Sequence, residues 1–335
     1  MLPEVCFLPD HRKDNVRIGR DVLPESHSKT PMDAYGNTGL KPYIWAAFAG
    51  GPEMDRQAMK EIRTYAEFAA REGIGVRARS LLRNLVIRAK SQGKQIDQTS
   101  NWVRFPYYHH VFDDERHGFE RQLKYLGNFG DFISMDEACD LISGDEPVDG
   151  RYFCVGFDDG FANCYINMTA ITSRLRVPVI IYLPVNWIGL NTAIEADREK
   201  ISQFYAEQSR LVPFLTWEQC REMLSQKISF GSHTLSHAHL IKLRPEEIEK
   251  ELKESKRLIE VKLGVPCQHF ACPWGRRDVD FDPAVTTPIA QRSGYHSFAT
   301  TNRGKMQRGD DLYMLRRDHV SANWENFQLK YFFSL

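Results

Sequence analysis

From about residue 101 onward, short runs rich in β-branched and aromatic residues alternate with segments of helical period, and this alternation limits the possible folds more than any other feature of the chain. The series reads YYHHV then FERQLKYL, YFCVGF then a helix to about Leu175, PVIIYLP, and KISFG then a long helix from about Pro245 to Leu263; QHFACP and YHSFAT follow. Strands that alternate with helices pair in parallel, and the unbroken apolar run Val179–Leu183 suits a strand covered on both faces. Seven or so such units predict the α/β class and a (β/α)7-type barrel, closed or nearly closed, over residues 101–335. A chain of 335 residues that is 42% hydrophobic has enough apolar surface to build that core.

Residues 1–100 read differently, as a mainly helical and irregular N-terminal extension. The stretch to about residue 40 is polar and broken by Pro and Gly, and the short apolar run YIWAAFAGG follows it. A helical pattern then spans Met54 to Arg71, with Met59, Ile62, Ala66 and Ala69 on one face, and a second helix follows Gly75. Between Ile74 and Ile96 stand six basic residues (Arg77, Arg79, Arg83, Arg88, Lys90, Lys94) and no acid, opposite an apolar face of Leu81, Leu82, Leu85 and Val86. This stripe could make a peripheral contact with phosphates or anionic lipid, or be the solvated face of a packed helix. Over the whole chain charge is balanced, 44 Lys plus Arg against 44 Asp plus Glu, so no global field favours nucleic acid, and no such partner is expected. No apolar run reaches membrane-spanning length, and the N-terminus has Pro3, Glu4 and Pro9 where an export signal would be basic and then apolar; the expectation is a cytoplasmic chain without a transmembrane segment. The seven cysteines lack any CxxC pair and are expected to be reduced thiols in apolar surroundings.

Three polar clusters each follow a predicted strand, and the C-terminal strand ends of a β/α barrel open on one face. In FDDGF, Asp158 and Asp159 end a strand from Tyr152 to Phe157, and Gly160 makes the turn. In GSHTLSH, the strand Ile228–Phe230 leads to His233 and His237, two imidazoles four apart that can face one point on a helical turn. In HFACPWG, Pro273, Trp274 and Gly275 form a rigid turn whose backbone NH groups could point into the same space. Two His and one carboxylate leave open positions on an ion for water and substrate, as a catalytic metal site requires. Adjacent side chains at a strand end diverge, so Asp159 can bind the ion while Asp158 serves as base.

FDDG, followed about seventy residues later by SHTLSH and then by a strand ending in a PxG turn, resembles the NodB-homology polysaccharide deacetylases, carbohydrate esterase family four, over about residues 104–320. The resemblance implies a distorted β/α barrel, Asp158 as catalytic base, and Asp159, His233 and His237 as ligands of a divalent metal, usually zinc. Two segments depart from the common pattern. FACPWG has Phe270 or Ala271 where an Arg would steady the base; Arg316 and Arg317 in YMLRRDHV resemble a late Arg of branches whose third motif reads FAYPYG, and Arg317 is favoured over the surface ion pair it could otherwise form. The usual late His acid has only His319 to match it, in the wrong context. PYYHHVFDDE instead resembles the start of the branch with an N-terminal Tyr-His strand, which maps the general acid onto His109; His110, pointing the other way along a strand, would be structural.

The activity implied is metal-dependent hydrolysis of an N-acetyl group on an amino sugar in a polysaccharide, oligosaccharide or glycan precursor, with the Trp274 backbone NH beside the oxyanion. O-acetyl ester or N-formyl cleavage would use the same residues, and a non-catalytic carbohydrate-binding protein on this fold is the alternative from another class; the spare Asp158 disfavours an iron oxygenase. Phe161, Trp187 and Trp274 suit stacking on sugar faces, with core packing an equal reading for Phe161 and Trp187. His239, His269, His296, His11, His27 and His117 are read as surface or satisfied core residues. Sequence leaves the oligomeric state open.

Overall fold

The computed structural model describes residues 60–70, 74–204 and 211–334. The polar N-terminal stretch, the run YIWAAFAGG, the start of the helical pattern at Met54, and Cys6, His11 and His27 lie outside the described residues.

Ten strands are present among the described residues: β1 (Trp102–Arg104), β2 (Pro106–Tyr108), β3 (Asp131–Phe132), β4 (Arg151–Phe153), β5 (Val155–Phe157), β6 (Val179–Leu183), β7 (Ile228–Ser232), β8 (His269–Ala271), β9 (Ser297–Ala299) and β10 (Asp318–His319). Seven of them form one all-parallel sheet in the order β10-β2-β5-β6-β7-β8-β9. A parallel bridge between Ala299 of β9 and Leu315, just ahead of β10, joins the two edges, so the sheet curls into a distorted seven-stranded barrel. The smaller parallel sheet β1-β4-β3 hangs below it. The expected strand Tyr152–Phe157 is therefore two strands, because Cys154 donates its NH to Arg104 O, 2.9 Å, where the chain passes from one sheet to the other.

Helices cover the outside of the barrel. Pro245–Leu263 has the bounds its sequence predicts, with Pro245 in the first turn and Gly264 at φ 70 as a left-handed cap. The main core of Phe157, Ile181, Leu252, Ile259, Phe270 and Phe298 lies between sheet and helices. Inside the barrel, Tyr107 and Tyr182 are buried against Arg317. Gly231 makes room for the Tyr182 ring: a Cβ there would stand 2.6 Å from two ring carbons.

The N-terminal helices depart from the sequence reading in two ways. Among the described residues of the pattern read from Met54 to Arg71, 60–64 are not helical and the helix spans Tyr65–Ala70, because Thr64 and Glu67 form a capping box: Thr64 Oγ1 accepts from the Glu67 NH at 3.1 Å and the Glu67 carboxylate accepts from the Arg63 and Thr64 NH groups. The second helix spans Ile74–Lys90, but its Leu81, Leu82, Leu85 and Val86 face is exposed; the helix meets Asn326–Phe333 through Asn84 and Arg88 instead.

Candidate active site

All the polar clusters singled out in the sequence follow strands of the parallel sheet and so open on one face. Asp158 and Asp159 follow β5, His233 follows β7, Pro273–Gly275 follow β8, His109 follows β2, and Arg317 and His319 lie at β10. The turn after β5 is tight. Asp159 has φ 71 and Gly160 φ 63, and a Cβ on Gly160 would meet Leu183 Cδ2 at 2.9 Å and Ile188 Cδ1 at 3.0 Å.

Asp159, His233 and His237 offer three donor atoms that all lie within 4.8 Å of one another. The Nε2 atoms of His233 and His237 stand 3.4 and 3.3 Å from Asp159 Oδ1, close to the roughly 3.4 Å between ligands placed about 2.1 Å from a tetrahedral ion. Asp159 Oδ1 is buried and accepts no hydrogen bond of good geometry, so the donors face a common point rather than each other. His233 Nδ1 lies 2.7 Å from Ala271 O; a carbonyl can only accept, so this bond puts the proton on Nδ1 and leaves the Nε2 lone pair toward Asp159. Burial tends to raise the Asp159 pKa, but the two imidazoles outweigh it and hold the group well below the carboxylate range; burial lowers that of His237. Three convergent donors, one of them a buried oxygen with no other partner, suit a divalent cation.

The two imidazoles do not sit on a helical turn. Thr234 and His237 have φ 67 and 59, and the loop between them is held by Glu251 of helix Pro245–Leu263, whose carboxylate accepts from Leu235 NH, Ser236 NH and Ser236 Oγ at 2.8–2.9 Å. Two left-handed residues turn the rings together where helical spacing would have done so.

Asp158 is buried and faces Arg317, whose Nη1 and Nη2 donate to its two oxygens at 2.7 and 2.8 Å. Arg317 Nε donates to Thr300 O at 2.8 Å, and the guanidinium carbon stands 4.1 Å above the Tyr107 ring. Burial alone would raise the Asp158 pKa; the Arg317 charge overcomes this and leaves it lowered. The favoured Arg317 is thus inside the barrel, whereas its neighbour Arg316 pairs with Asp310.

His109 Nε2 lies 3.9 Å from Asp159 Oδ2, and its ring is 5.3 Å from that of His319. Burial, then the nearby His109, Arg303, Arg317 and Arg83, push the His319 pKa well below the imidazole range. His110 lies on the other side of β2, stacked on Phe112 and Phe161. Trp274 has φ 57, its carbonyl accepts from Thr301 Oγ1 at 2.7 Å, Gly275 NH donates to Pro273 O at 2.7 Å, and the Trp274 indole stands beside His237, the ring centroids 4.5 Å apart.

Two of the aromatics take the core-packing alternative. Phe161 is fully buried with Phe112 and Phe214 and belongs to the core; Trp187 packs on Phe204 and Phe214 while its Nε1 donates to Ser236 O. His239, which the sequence reads as a surface or satisfied core residue, stacks on Trp274 with centroids 3.6 Å apart and planes at 12°, its Nδ1 3.6 Å from buried Asp280. Its place two residues beyond His237 was the available signal. His269, bonded to Asp136 and Ser297, sits at the start of β8, at the opposite end of the barrel. The six described cysteines are buried and free.

Residues 145–296 match the family described as polysaccharide deacetylase. Over 242 residues the chain is 24% identical to YxkH of Bacillus subtilis (strain 168), which carries a provisional polysaccharide deacetylase name, covering 68% of this chain and 77% of that protein. The fold is similar to that of IcaB from Ammonifex degensii, with a TM-score of 0.57 and 20% identity over 70% of this chain and 98% of that one. It is also similar to the Streptococcus pyogenes deacetylase PplD, solved with acetate, with a TM-score of 0.55 and 21% identity over 70% and 98% of the two chains.

Proposed function

The chain is a member of the polysaccharide deacetylase family through residues 145–296, and on that premise we propose that it removes the N-acetyl group from an amino sugar in a polysaccharide, oligosaccharide or glycan precursor. The observation that carries this reading is a buried, Arg-paired Asp158 directly beside the convergent Asp159, His233 and His237. Asp159, His233 and His237 would hold a divalent ion, zinc by the two-nitrogen, one-oxygen donor set. Such an ion, when bound, polarises the acetamide carbonyl and acidifies water at neutral pH.

The remaining steps fall to the chain's own side chains. Asp158, kept ionised and oriented by the Arg317 fork, accepts the proton of the attacking water. The Trp274 NH faces the oxygen on which charge develops, and the left-handed turn at Trp274 and Gly275 sets its direction. His109 protonates the leaving nitrogen, so that the C–N bond breaks to give an amine and acetate. That step contributes on the order of 100-fold or more, because an unprotonated amide anion is a very poor leaving group. The depressed pKa of His319 supports His109 in this role, since a neutral imidazole is a weak acid. The His239–Trp274 stack gives the cleft a flat aromatic wall suited to a sugar face.

Acetate release, with the matching mass loss, from a panel of N-acetylated sugars, sugar nucleotides and oligosaccharides tests the reading. Release from at least one, abolished in Asp158→Asn, is expected. A metal-loaded protein inert on the whole panel would overturn it.

A further inference from the structure

Helix Ile74–Lys90 turns its apolar side away from the protein. Leu81, Leu82, Leu85 and Val86 are 68%, 63%, 66% and 46% exposed, although large apolar side chains are normally the part of an amphipathic helix that packs. The opposite side is the one in contact: Ile87 is buried, Gln328 Nε2 donates to Asn84 Oδ1 at 3.2 Å, and Arg88 lies over the Phe327 ring of helix Asn326–Phe333. At about 100° per residue, the four apolar residues fill an arc of about 140°, with Arg88 at one edge and Arg79 and Lys90 at the other. Arg79, Arg88 and Lys90 are exposed.

Charge selects among possible occupants. From Ile74 to Ile96 there are six Lys or Arg and no acid, so a second copy of this helix would bring like charges together. Residues 1–59 contain eight acids and seven Lys or Arg, which gives them no net charge complement to a basic helix. An anionic lipid surface complements both features at once: apolar side chains enter the boundary between headgroups and acyl chains, and the flanking cations extend to the phosphates. No helix among the described residues is long and apolar enough to cross a membrane, so any such contact is peripheral.

We propose that helix Ile74–Lys90 docks on an anionic bilayer, with Leu81, Leu82, Leu85 and Val86 inserted at the interface and Arg79 and Lys90 meeting lipid phosphates. The test is co-sedimentation of the full chain with phosphatidylglycerol–phosphatidylcholine vesicles and with phosphatidylcholine vesicles alone. The expected result is binding to the anionic vesicles that weakens as salt rises, and a loss of about tenfold or more in Leu82→Gln/Leu85→Gln and in Arg79→Gln/Lys90→Gln. All four positions are exposed, so the circular dichroism and Tm of both variants should match those of the parent chain, and either variant alone suffices if the other fails to fold. Absence of binding, equal binding to neutral vesicles, or unchanged binding by both variants would overturn the proposal. So would a dimer in light scattering that Leu82→Gln/Leu85→Gln converts to a monomer, which would assign the face to self-association.

Discussion

Arg317 and Asp158 are 159 positions apart in sequence, yet they meet inside the barrel as a two-pronged pair at 2.7 and 2.8 Å, both side chains buried. Asp158→Asn should therefore lose two things together. Acetate release should fall by on the order of 100- to 10,000-fold, because a carboxamide cannot take the proton of water. Stability should fall by about 3–5 kcal/mol, because Arg317 is left as a buried charge without its counterion. Denaturant melts alongside turnover check both; a variant as stable as the parent would mean that water compensates Arg317 inside the barrel.

Metal content offers a separate check. The parent chain should hold about one zinc per chain, and His233→Ala or Asp159→Ala should each abolish it while leaving the barrel folded. Elemental analysis after dialysis measures this directly. Dialysis against a chelator should reduce turnover, and zinc should restore it.

The assignment of the acid rests on His109. His109→Ala should slow amide substrates far more than activated esters, since a good leaving group departs without a proton. His319→Ala should change both little, its ring being held neutral by burial and by the cations around it. Equal amide and ester losses in His109→Ala, or amide-selective loss in His319→Ala, would transfer the role.

Glu115 lies in the turn after β2, with its Oε2 accepting from Phe112 NH at 3.1 Å, and burial raises its pKa to about 7. A carboxyl whose folded pKa exceeds its unfolded value near 4.5 keeps its full contribution to stability below that value and loses it as pH rises through about 7. Glu115→Gln retains an acceptor for Phe112 without the titration. It should match the parent near pH 4.5 and exceed it at pH 8 by on the order of 2–3 kcal/mol. Urea melts at the two pH values decide the matter; a constant difference would remove Glu115 as the source.

Periodicity carried the barrel. The strand β6 and the helix Pro245–Leu263 have the bounds their sequences predict, since an unbroken apolar run and a Pro-to-Gly helix signature are local statements. What the sequence could not carry were relations set by distant partners. Nothing local marks Glu251 as the residue that holds the loop of His233 and His237, or places His239 flat on Trp274. The pattern of helix Ile74–Lys90 shows an apolar side, but a periodic pattern does not say whether that side meets the protein; the Asn84–Gln328 contact shows that it does not. Phe161, beside the aspartates in sequence, faces the core because the left-handed turn at Asp159 and Gly160 carries the chain into a bridge with Phe214.

Among the described residues the ring of parallel strands is closed by the Ala299–Leu315 bridge and by the Arg317 NH, which donates to Asn302 O at 2.8 Å, and the Arg317 side chain spans that junction. Its Nε holds Thr300 O, just past β9, while its two Nη atoms hold Asp158, just past β5 on the far side of β2 and β10. The guanidinium is thus a clasp across the seam of the barrel as well as the counterion of Asp158. Loosening it would let amide exchange spread from the β9–β10 junction, so the ionic partner of Asp158 and the last join in the wall open and shut as one.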